Sequence, residues 1–389
     1  MLALFFVVFI DLIGFGMVIP LLPLLGEAVG ATPFDVGLLM ASFSAFQFLS
    51  TPVWGWLSDR VGRKPVLLAG LAGSALCYGL MARSNTFLEL VATRSLAGLM
   101  AGNISAAFAY AADISTPETR SKAMGTIGAA FGLGFIAGPA VGGILAGPGR
   151  TIADFAPPAL AAAVLSATAL VLAAVTLKEK MPAHDPHAGR RTGLKEALHQ
   201  PALTFPLLAI FISTFAFAGM ESTFALWSQA ALHWGARQNG YMFAFMGFLS
   251  AMVQGGGVHR LTKRVGEWKV AAVGAVLLAI GMVGAGFAHS LTALMAPAAA
   301  MAFGFGLVSP SLNSALSLVA RTSGMGAAMG AGRSVSTGAR ALGPLAAGYL
   351  FGAAGKAAPF LVGSILLAAL AAAVMMRLRR EPVAEESAG

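Results

Sequence analysis

About twelve long apolar runs, separated by short polar segments, follow one another along the chain. Each has roughly the 20 mostly apolar residues that an α-helix needs to cross a bilayer, whereas transmembrane barrel strands are shorter and alternate. The first run lacks a basic start and carries Asp11 in its middle, which argues against a secretory signal peptide. The pattern therefore predicts an all-α membrane protein with 12 transmembrane helices. The runs lie near 2–25, 34–56, 65–83, 87–112, 122–146, 157–177, 201–226, 238–258, 269–288, 292–318, 326–351 and 359–377.

A long polar segment divides these runs into two groups of six. It covers 177–201, is rich in charge, His and Pro, and is interpreted as a cytoplasmic linker. The two groups echo each other, because LSDRVG in the first corresponds to LTKRVG in the second, and GPAVGG at 138–143 to GPLAAG at 343–348. The stretch from Gly37 to Gly62 spans 25 positions, and its counterpart from Gly240 to Gly266 spans 26. A six-plus-six repeat is typical of secondary transporters, whose substrate sites lie between the halves near the bilayer midplane.

We therefore predict two pseudo-symmetric six-helix halves with a single connection. The N-terminal half covers 1–177, the cytoplasmic linker 178–200, the C-terminal half 201–377 and a cytoplasmic tail 378–389.

Composition and charge agree with lipid as the main solvent. The chain is 57% hydrophobic and only 11% charged, against about 25% charged residues in ordinary soluble proteins. If the N-terminus is cytoplasmic and every run crosses once, 18 of the 25 Lys and Arg fall in cytoplasmic segments. This positive-inside bias explains the net charge of +9 without a nucleic-acid partner. It predicts a multi-pass protein of the inner or plasma membrane with both termini in the cytoplasm.

The sequence gives no sign of enzymatic or cofactor chemistry. The single cysteine, Cys77, excludes an intrachain disulfide and a Cys-rich metal or redox site. We find no Walker phosphate loop, nucleophile elbow or H-E-x-x-H motif, and GAAMGAG at 326–332 reads as a stripe of small residues opening a helix. We therefore expect a non-enzyme without cofactor or metal, working as a monomer.

Five charged residues fall inside predicted helices: Asp11, Arg94, Glu221, Arg333 and Arg340. A charge at the centre of an inserting helix costs about 2.5–3.5 kcal/mol, so such residues are functional candidates by default. A carboxyl group removed from water holds a proton more readily, which makes Asp11 and Glu221 candidates for proton coupling. Alternatively, Asp11 only pins the first helix to a neighbour. We expect Arg333 to snorkel to the cytoplasmic interface, and Arg340 to face the cavity, where it pairs with an acid or receives an anionic substrate.

Uncharged polar residues inside the helices form a second group of candidates. They either line a substrate cavity or bond neighbouring helices. With Arg340, the predicted cavity residues are Gln47, Asn103, Gln254 and Asn313.

Four motifs in order give the chain its family resemblance. They are DLIGFGMVIPLLP at 11–23, GWLSDRVGRKPVL at 55–67, RSLAGLMAG at 94–102 and GLGFIAGPAVGG at 132–143. With them the chain resembles the major facilitator superfamily, and within it the 12-helix drug:proton antiporters that include the tetracycline-efflux proteins. The resemblance covers essentially the whole chain and implies that Arg94 takes part in proton coupling.

The resemblance also implies two structural devices. A cytoplasmic gate would consist of Gly55, Asp59, Arg60, Gly62, Arg63 and Asp113, in which Asp59 meets the start of helix 11 and Arg63 pairs with Asp113. The antiporter motif of helix 5 would consist of Gly134, Gly138, Pro139, Gly142 and Gly143, a glycine stripe with a helix-bending proline that forms a hinge or seal between the halves.

Some positions depart from the family pattern. Ala97 stands where the helix 4 motif usually has Gln, and Cys77 and the region near Ile280 lack the acids of the tetracycline exporters. These departures argue against tetracycline itself as the substrate.

Together these observations predict a proton-coupled efflux transporter of small amphipathic drugs or toxic compounds, which works by alternating access in a lipid bilayer. The alternative is a transporter of the same fold that moves a metabolite or organic anion.

Overall fold

The long apolar runs form twelve helical segments in a computed structural model that describes residues 1–116, 119–149, 151–179, 200–320 and 325–380. Within these ranges there is no β-strand, and the predicted all-α fold is confirmed. The helices are α1 Leu2–Ala28, α2 Pro33–Val61, α3 Arg63–Met81, α4 Phe87–Asp113, α5 Arg120–Ala146, α6 Ala156–Thr176, α7 Pro201–Leu232, α8 Ala236–Val265, α9 Glu267–Gly286, α10 Leu291–Val319, α11 Met325–Ala354 and α12 Ala358–Arg380.

Eleven of these helices are long and apolar enough to cross a membrane, by length and composition among the described residues. The helix outside this set is α11, which carries Arg333 and Arg340 among many Gly and Ser residues. Side chains on the outer surface are apolar and exposed, as at Leu88 and Val175, which are 76% and 79% exposed. Exposed Leu and Val at this frequency suit a lipid surface, and the chain is a multi-pass membrane protein.

Three helices depart from regular α-geometry. A 3₁₀ turn, Ile19–Leu21, interrupts α1 at Pro20, because a proline ring removes one backbone donor from the helix. Helix α4 breaks at Ala101 and Gly102, between Phe87–Met100 and Asn103–Asp113. Helix α8 has a kinked stretch with π-type bonding, Val253–Gly257, over the sequence VQGGG, in which Gly256 has a non-helical φ of 164°.

Two of the apolar cores follow the division into halves, and a third joins residues of the first half to Ala225 and Ala236 of the second. One core contains only residues from 4 to 177, with Leu4, Leu12 and Ile127 fully buried. Another contains only residues from 203 to 374 and is built around Phe224 and Trp227. The boundaries of the two halves stay a prediction, and most of the predicted linker and tail, 180–199 and 381–389, lies outside the described residues.

The two halves touch most closely at one end of the molecule. We call it the far end, where α1 connects to α2 and α7 to α8; the basic end is the opposite one, where α2 connects to α3 and α8 to α9. Toward the far end, a Cβ added at Gly348 of α11 would meet the backbone of Pro33 and Phe34. A Cβ added at Gly143 of α5 would lie 3.0 Å from the Cα of Gly240 in α8. Glycines thus permit backbone-to-backbone contact between the halves here.

We predict that Gly348→Val lowers stability through this contact, because the added side chain has no space between α11 and the start of α2. Overpacking of this kind costs about 1–3 kcal/mol. The matched control is Gly352→Val, one turn further along α11, where an added Cβ meets no atom within 4 Å. The thermal unfolding midpoint in detergent should fall for the first variant only, and an equal fall for both would contradict the packing argument.

Candidate functional site

A cavity of about 1150 Å³ lies between the two halves. Helices α1, α2, α4 and α5 of the first half and α7 and α11 of the second contribute its wall. The volume lies slightly above the usual range for small-molecule sites, roughly 300–1,000 Å³. Since the closest contacts between the halves lie toward the far end, the cavity faces the basic end. Aromatic side chains form much of the first-half wall: Phe15, Phe43, Phe48, Phe108, Phe131 and Phe135.

Four of the described residues that line the cavity carry charge: Arg94, Glu221, Arg333 and Arg340. The only acid among them, Glu221 of α7, pairs with Arg340 of α11, with 3.5 Å between Oε2 and Nη1. Their side chains are 13% and 41% exposed. An ion pair that is long and open on one side contributes little to stability. A substrate or a proton can therefore separate its two partners.

The guanidinium of Arg94 has a different environment. The residue is 3% exposed, and its guanidinium carbon lies 4.6 Å from the centroid of the Phe43 ring. This cation–π contact holds one face of the group. The Nε–H has no hydrogen-bond partner in the part of the chain that the structure describes. Gln47, one turn from Phe43 on α2, also lines the cavity.

Arg333 does not lie where we expected it from the sequence. Instead of snorkelling to the interface, it lines the cavity, and its guanidinium carbon is 5.4 Å from the Phe108 ring of the other half. Phe108 in turn stacks on Phe131 of α5, with 5.9 Å between ring centroids. The aromatic wall offers the cation a partner inside the cavity.

Asp11 lies behind the cavity wall rather than in it. Its carboxylate accepts hydrogen bonds from Ser166 Oγ of α6 and Asn103 Nδ2 of α4, both at 2.7 Å. The residue is only 8% exposed. Two donors compensate the buried oxygens and join α1 to two neighbours, which matches the pinning role left open in the sequence analysis. Asn103 was predicted to line the cavity. This assignment is wrong, because its side-chain amide is buried and donates to the Asp11 carboxylate.

Gln254 and Asn313 also lie outside the cavity lining, which corrects their predicted placement. Both side chains are exposed and bond within their own helices, Gln254 Nε2 to Ser250 Oγ at 2.9 Å and Asn313 Nδ2 to the Ser309 carbonyl at 2.8 Å. Hydropathy predicts that a polar residue lies in a helix, but it does not predict toward which neighbour its side chain points.

At the basic end, the structure brings the predicted gate residues around Arg63. Its Nε donates to Asp113 Oδ2 at 2.8 Å, and its Nη1 donates to Asp59 Oδ1 at 2.7 Å. Arg60 packs over the ring of Trp56, 4.1 Å from its centroid. The implied contact of Asp59 with the start of helix 11 stays a prediction.

The two glycines of this motif, Gly55 and Gly62, have different structural environments. Gly55 lines the cavity, and Gly62 has a φ of 98°, a conformation that favours glycine. The side-chain carboxylate of Glu179 occupies the space in which a Gly62 side chain would lie. Sequence reasoning missed Glu179, although an acid just after α6 beside a basic loop was a usable signal.

The start of the linker therefore rests on this motif. Tyr110 Oη donates to the Lys178 carbonyl at 2.9 Å, and Lys64 Nζ donates to the Ala174 carbonyl at 2.7 Å. These contacts extend the ion pairs from α2, α3 and α4 to the end of α6.

The glycine stripe of α5 packs mainly inside its own half. Gly134, Gly138 and Gly142 face α1, where a Cβ on Gly138 would lie 2.8 Å from the Cα of Gly16. The next residue, Gly143, faces α8 of the other half. Pro139 lies within α5, and its carbonyl occupies the space beside Gly240 of α8. The motif thus contacts both α1 and the opposite half.

Comparisons with known proteins agree with this architecture. A sequence profile described as Major Facilitator Superfamily matches residues 4–344 and 258–389. The tetracycline resistance protein, class C, of Escherichia coli is 33% identical over 293 residues, which cover 72% of this chain and 71% of the relative. Multidrug resistance protein 1 of Bacillus subtilis (strain 168) is 30% identical, covering 88% of this chain and 87% of the relative.

A solved structure gives the corresponding result for the fold. The crystal structure of the human organic anion transporter MFSD10 (TETRAN) is 27% identical and has a TM-score of 0.72, covering 96% of this chain and 98% of that one. The resemblance to the tetracycline-efflux group and the 12-helix fold are thereby confirmed.

We predict that Ser166→Ala destabilises the protein although Ser166 does not line the cavity, because a buried Asp11 oxygen loses its donor. Such a loss costs about 1–3 kcal/mol. Thr168→Ala is the control on the same helix, since that exposed hydroxyl donates only to Val164 and should change stability by less than about 0.5 kcal/mol. Thermal unfolding in detergent measures both, and similar midpoints would count against the role of Asp11 in packing.

Proposed function

Because the chain belongs to the Major Facilitator Superfamily, we propose that it is a secondary transporter that exports small amphipathic molecules in exchange for protons. The membership supports a small-molecule substrate. The finer assignment, a drug:proton antiporter, rests on the site and on relatives whose names refer to tetracycline and multidrug resistance.

One observation carries the proposal: the large cavity, which has six phenylalanines in its first-half wall, holds a single carboxylate among its described lining residues, Glu221, and that carboxylate is held loosely by Arg340. A carboxylate that exchanges a cationic partner for a proton keeps its charge compensated in both states. Glu221 would take its proton when the cavity faces outward and release it to water on the cytoplasmic side when the cavity faces inward, where the carboxylate then pairs with Arg340. Arg94, buried in the opposite wall, adds a positive charge that favours release of the proton.

The energy available from this exchange is sufficient for export. One proton that moves through roughly 150 mV supplies about 3.5 kcal/mol. At one-to-one exchange this supports a roughly 300-fold gradient of a neutral solute. No phosphate-binding loop is needed to drive the cycle.

The orientation follows from the basic loops. We propose that the basic end is cytoplasmic, so that both termini are cytoplasmic and the cavity here is open to the cell interior. The protein would reside in the inner or plasma membrane and work as a monomer, since one chain encloses the cavity from all its contributing helices.

Opening and closing of the cytoplasmic side would depend on the motif around Arg63. We propose that Asp59, Arg60, Arg63 and Asp113, with Gly55 and Gly62, form a latch. In the inward-facing state Arg63 holds Asp59 and Asp113 together within the first half. When the halves close at this end, Asp59 would meet the start of α11, where the positive end of the helix dipole favours a carboxylate.

A second candidate function is export or uptake of an organic anion or metabolite on the same fold. The observation that favours it is the charge of the cavity, with three arginines and one glutamate among its described lining residues. The solved relative named as an organic anion transporter is consistent with this alternative. Proteoliposomes with an imposed pH gradient separate the two, because proton flux triggered by cationic drugs supports the first and a response to anions alone supports the second.

We predict that Glu221→Gln abolishes proton-driven transport but leaves substrate-driven exchange intact, because the amide still fits the cavity but cannot carry a proton. Uptake into inside-out vesicles with and without a pH gradient measures both modes. Glu89→Gln is the control, since Glu89 caps the start of α4 by accepting from Asn85 and Thr86 and is not a lining residue. Full gradient-driven uptake by Glu221→Gln would rule out this residue as the proton carrier.

We predict that Asp59→Asn slows transport without changing which substrates bind, because Asp59 acts on closure and lies outside the cavity lining. The amide would lose most of the attraction to Arg63 and to the helix dipole. Transport rates and a panel of substrate affinities are measured side by side. A shifted substrate range, or a normal rate, would contradict the latch.

A further inference from the structure

We propose that Arg94 is the contact for a negatively charged head group of the substrate, and that the transported molecules are aromatic carboxylates or sulfonates. The inference rests on the second candidate function, transport of an organic anion or metabolite on the same fold, and it narrows the substrate class of that cavity. It assigns the anion to Arg94 in the first half instead of Arg340 in the second.

The three cavity arginines differ in how their charge is compensated. Arg340 already faces the carboxylate of Glu221 at 3.5 Å. Arg333 is exposed where it lines the cavity, and its guanidinium lies near the Phe108 ring. Arg94 is 3% exposed and has no ion pair with any described acid. Among the described residues, Arg94 is therefore the cavity arginine that is buried and has no acid to compensate its charge.

A buried guanidinium without an anion is an expensive arrangement. Removing a charge from water costs several kcal/mol unless a partner and hydrogen bonds replace the solvent. The Phe43 ring compensates only one face of the guanidinium, and the Nε–H remains without an acceptor among the described residues. Asp11 in the same half shows the contrast, because two donors satisfy its oxygens. The free donor edge of Arg94 in a ligand-sized cavity thus has the chemistry of an anion site, since guanidinium and carboxylate match in two parallel hydrogen bonds.

The wall around Arg94 determines the rest of the ligand. Phe43 lies 5.5 Å from Phe15, and Phe15 lies 6.0 Å from Phe135, measured between ring centroids. All three rings line the cavity beside Arg94. Aromatic groups pack against such rings in offset or edge-to-face arrangements. An aromatic ring that carries one carboxylate or sulfonate satisfies the guanidinium and this wall together.

The test compares two ligands that differ in charge but share one ring. Binding of 2-naphthoate and of neutral 2-naphthamide to the purified full-length protein is measured in detergent at neutral pH by equilibrium dialysis. We expect the naphthoate to bind about 10- to 100-fold more tightly, the range for a charge-assisted hydrogen bond. Equal affinities of the wild-type protein for the two ligands would overturn the proposal, and this comparison requires no variant.

Substitutions then assign the charge preference to a residue. Arg94→Gln should remove it, so that the two ligands bind equally, and Arg94→Lys should restore part of it because the charge remains but the fork geometry does not. Phe43→Leu should weaken both ligands and keep their ratio. Arg333→Gln and Arg340→Gln are the matched controls, and a preference that disappears in either of them but persists in Arg94→Gln would place the anion elsewhere.

Binding in detergent also separates this proposal from the transport mechanism. The measurement needs no proton gradient, and Glu221→Gln should retain the preference for naphthoate. If wild-type binding shows the preference but proteoliposomes show no proton-coupled flux, the proposed antiport is wrong and the anion site stands. If flux is driven by protons but the preference is absent, the anion site is wrong and antiport stands.

Discussion

The cost of charge in a low-dielectric interior governs this structure more than any other constraint. The charge of each of three ionisable groups inside the protein, Asp11, Glu221 and Arg94, is compensated in a different way. Asp11 takes hydrogen bonds from two neighbouring helices and becomes part of the packing. Glu221 takes a long ion pair that can be separated. Arg94 has an aromatic ring on one face and no acceptor for its Nε–H among the described residues. The ionisable groups whose charge is least compensated by the protein line the cavity. There a proton or a ligand can supply the missing partner.

Helix α2 connects the parts of the molecule that must work together. Gly37 lies against Pro344 of the other half near the far end. Phe43 and Gln47 line the cavity in the middle, and Asp59 reaches Arg63 at the basic end. A tilt of this one helix would therefore change the contact between the halves, the substrate wall and the latch in a single movement. This mechanical link needs no additional moving loop among the described residues.

Sequence patterns predicted the helices well and the contacts of the site unevenly. Apolar run length is a local property, so the twelve helical segments follow from it. The cost of charge inside a helix marked Glu221, Arg94 and Arg340 as functional candidates, and all three line the cavity. Asn103, Gln254 and Asn313 were misplaced because the direction of a helix face depends on how neighbouring helices rotate. The pairing of Glu221 with Arg340, separated by 119 positions, depends on tertiary packing alone. Glu179 was missed because a linker residue gives no hydropathy signal for docking.

The short π-type stretch in α8, Val253–Gly257, lies where the second half is one residue longer than the first. Gly37 and Gly240 both sit where the halves touch, and Gly62 and Gly266 both end their helices with positive φ values of 98° and 85°. In the first half, Gly37 and Gly62 are 25 positions apart. In the second half, Gly240 and Gly266 are 26 positions apart. A π-turn accommodates one extra residue while the flanking helix keeps its register, and Val253–Gly257 lies between the second pair. The bulge therefore accounts for the one-residue difference in spacing between the two halves, and it lies at three consecutive glycines, which adopt such a geometry readily.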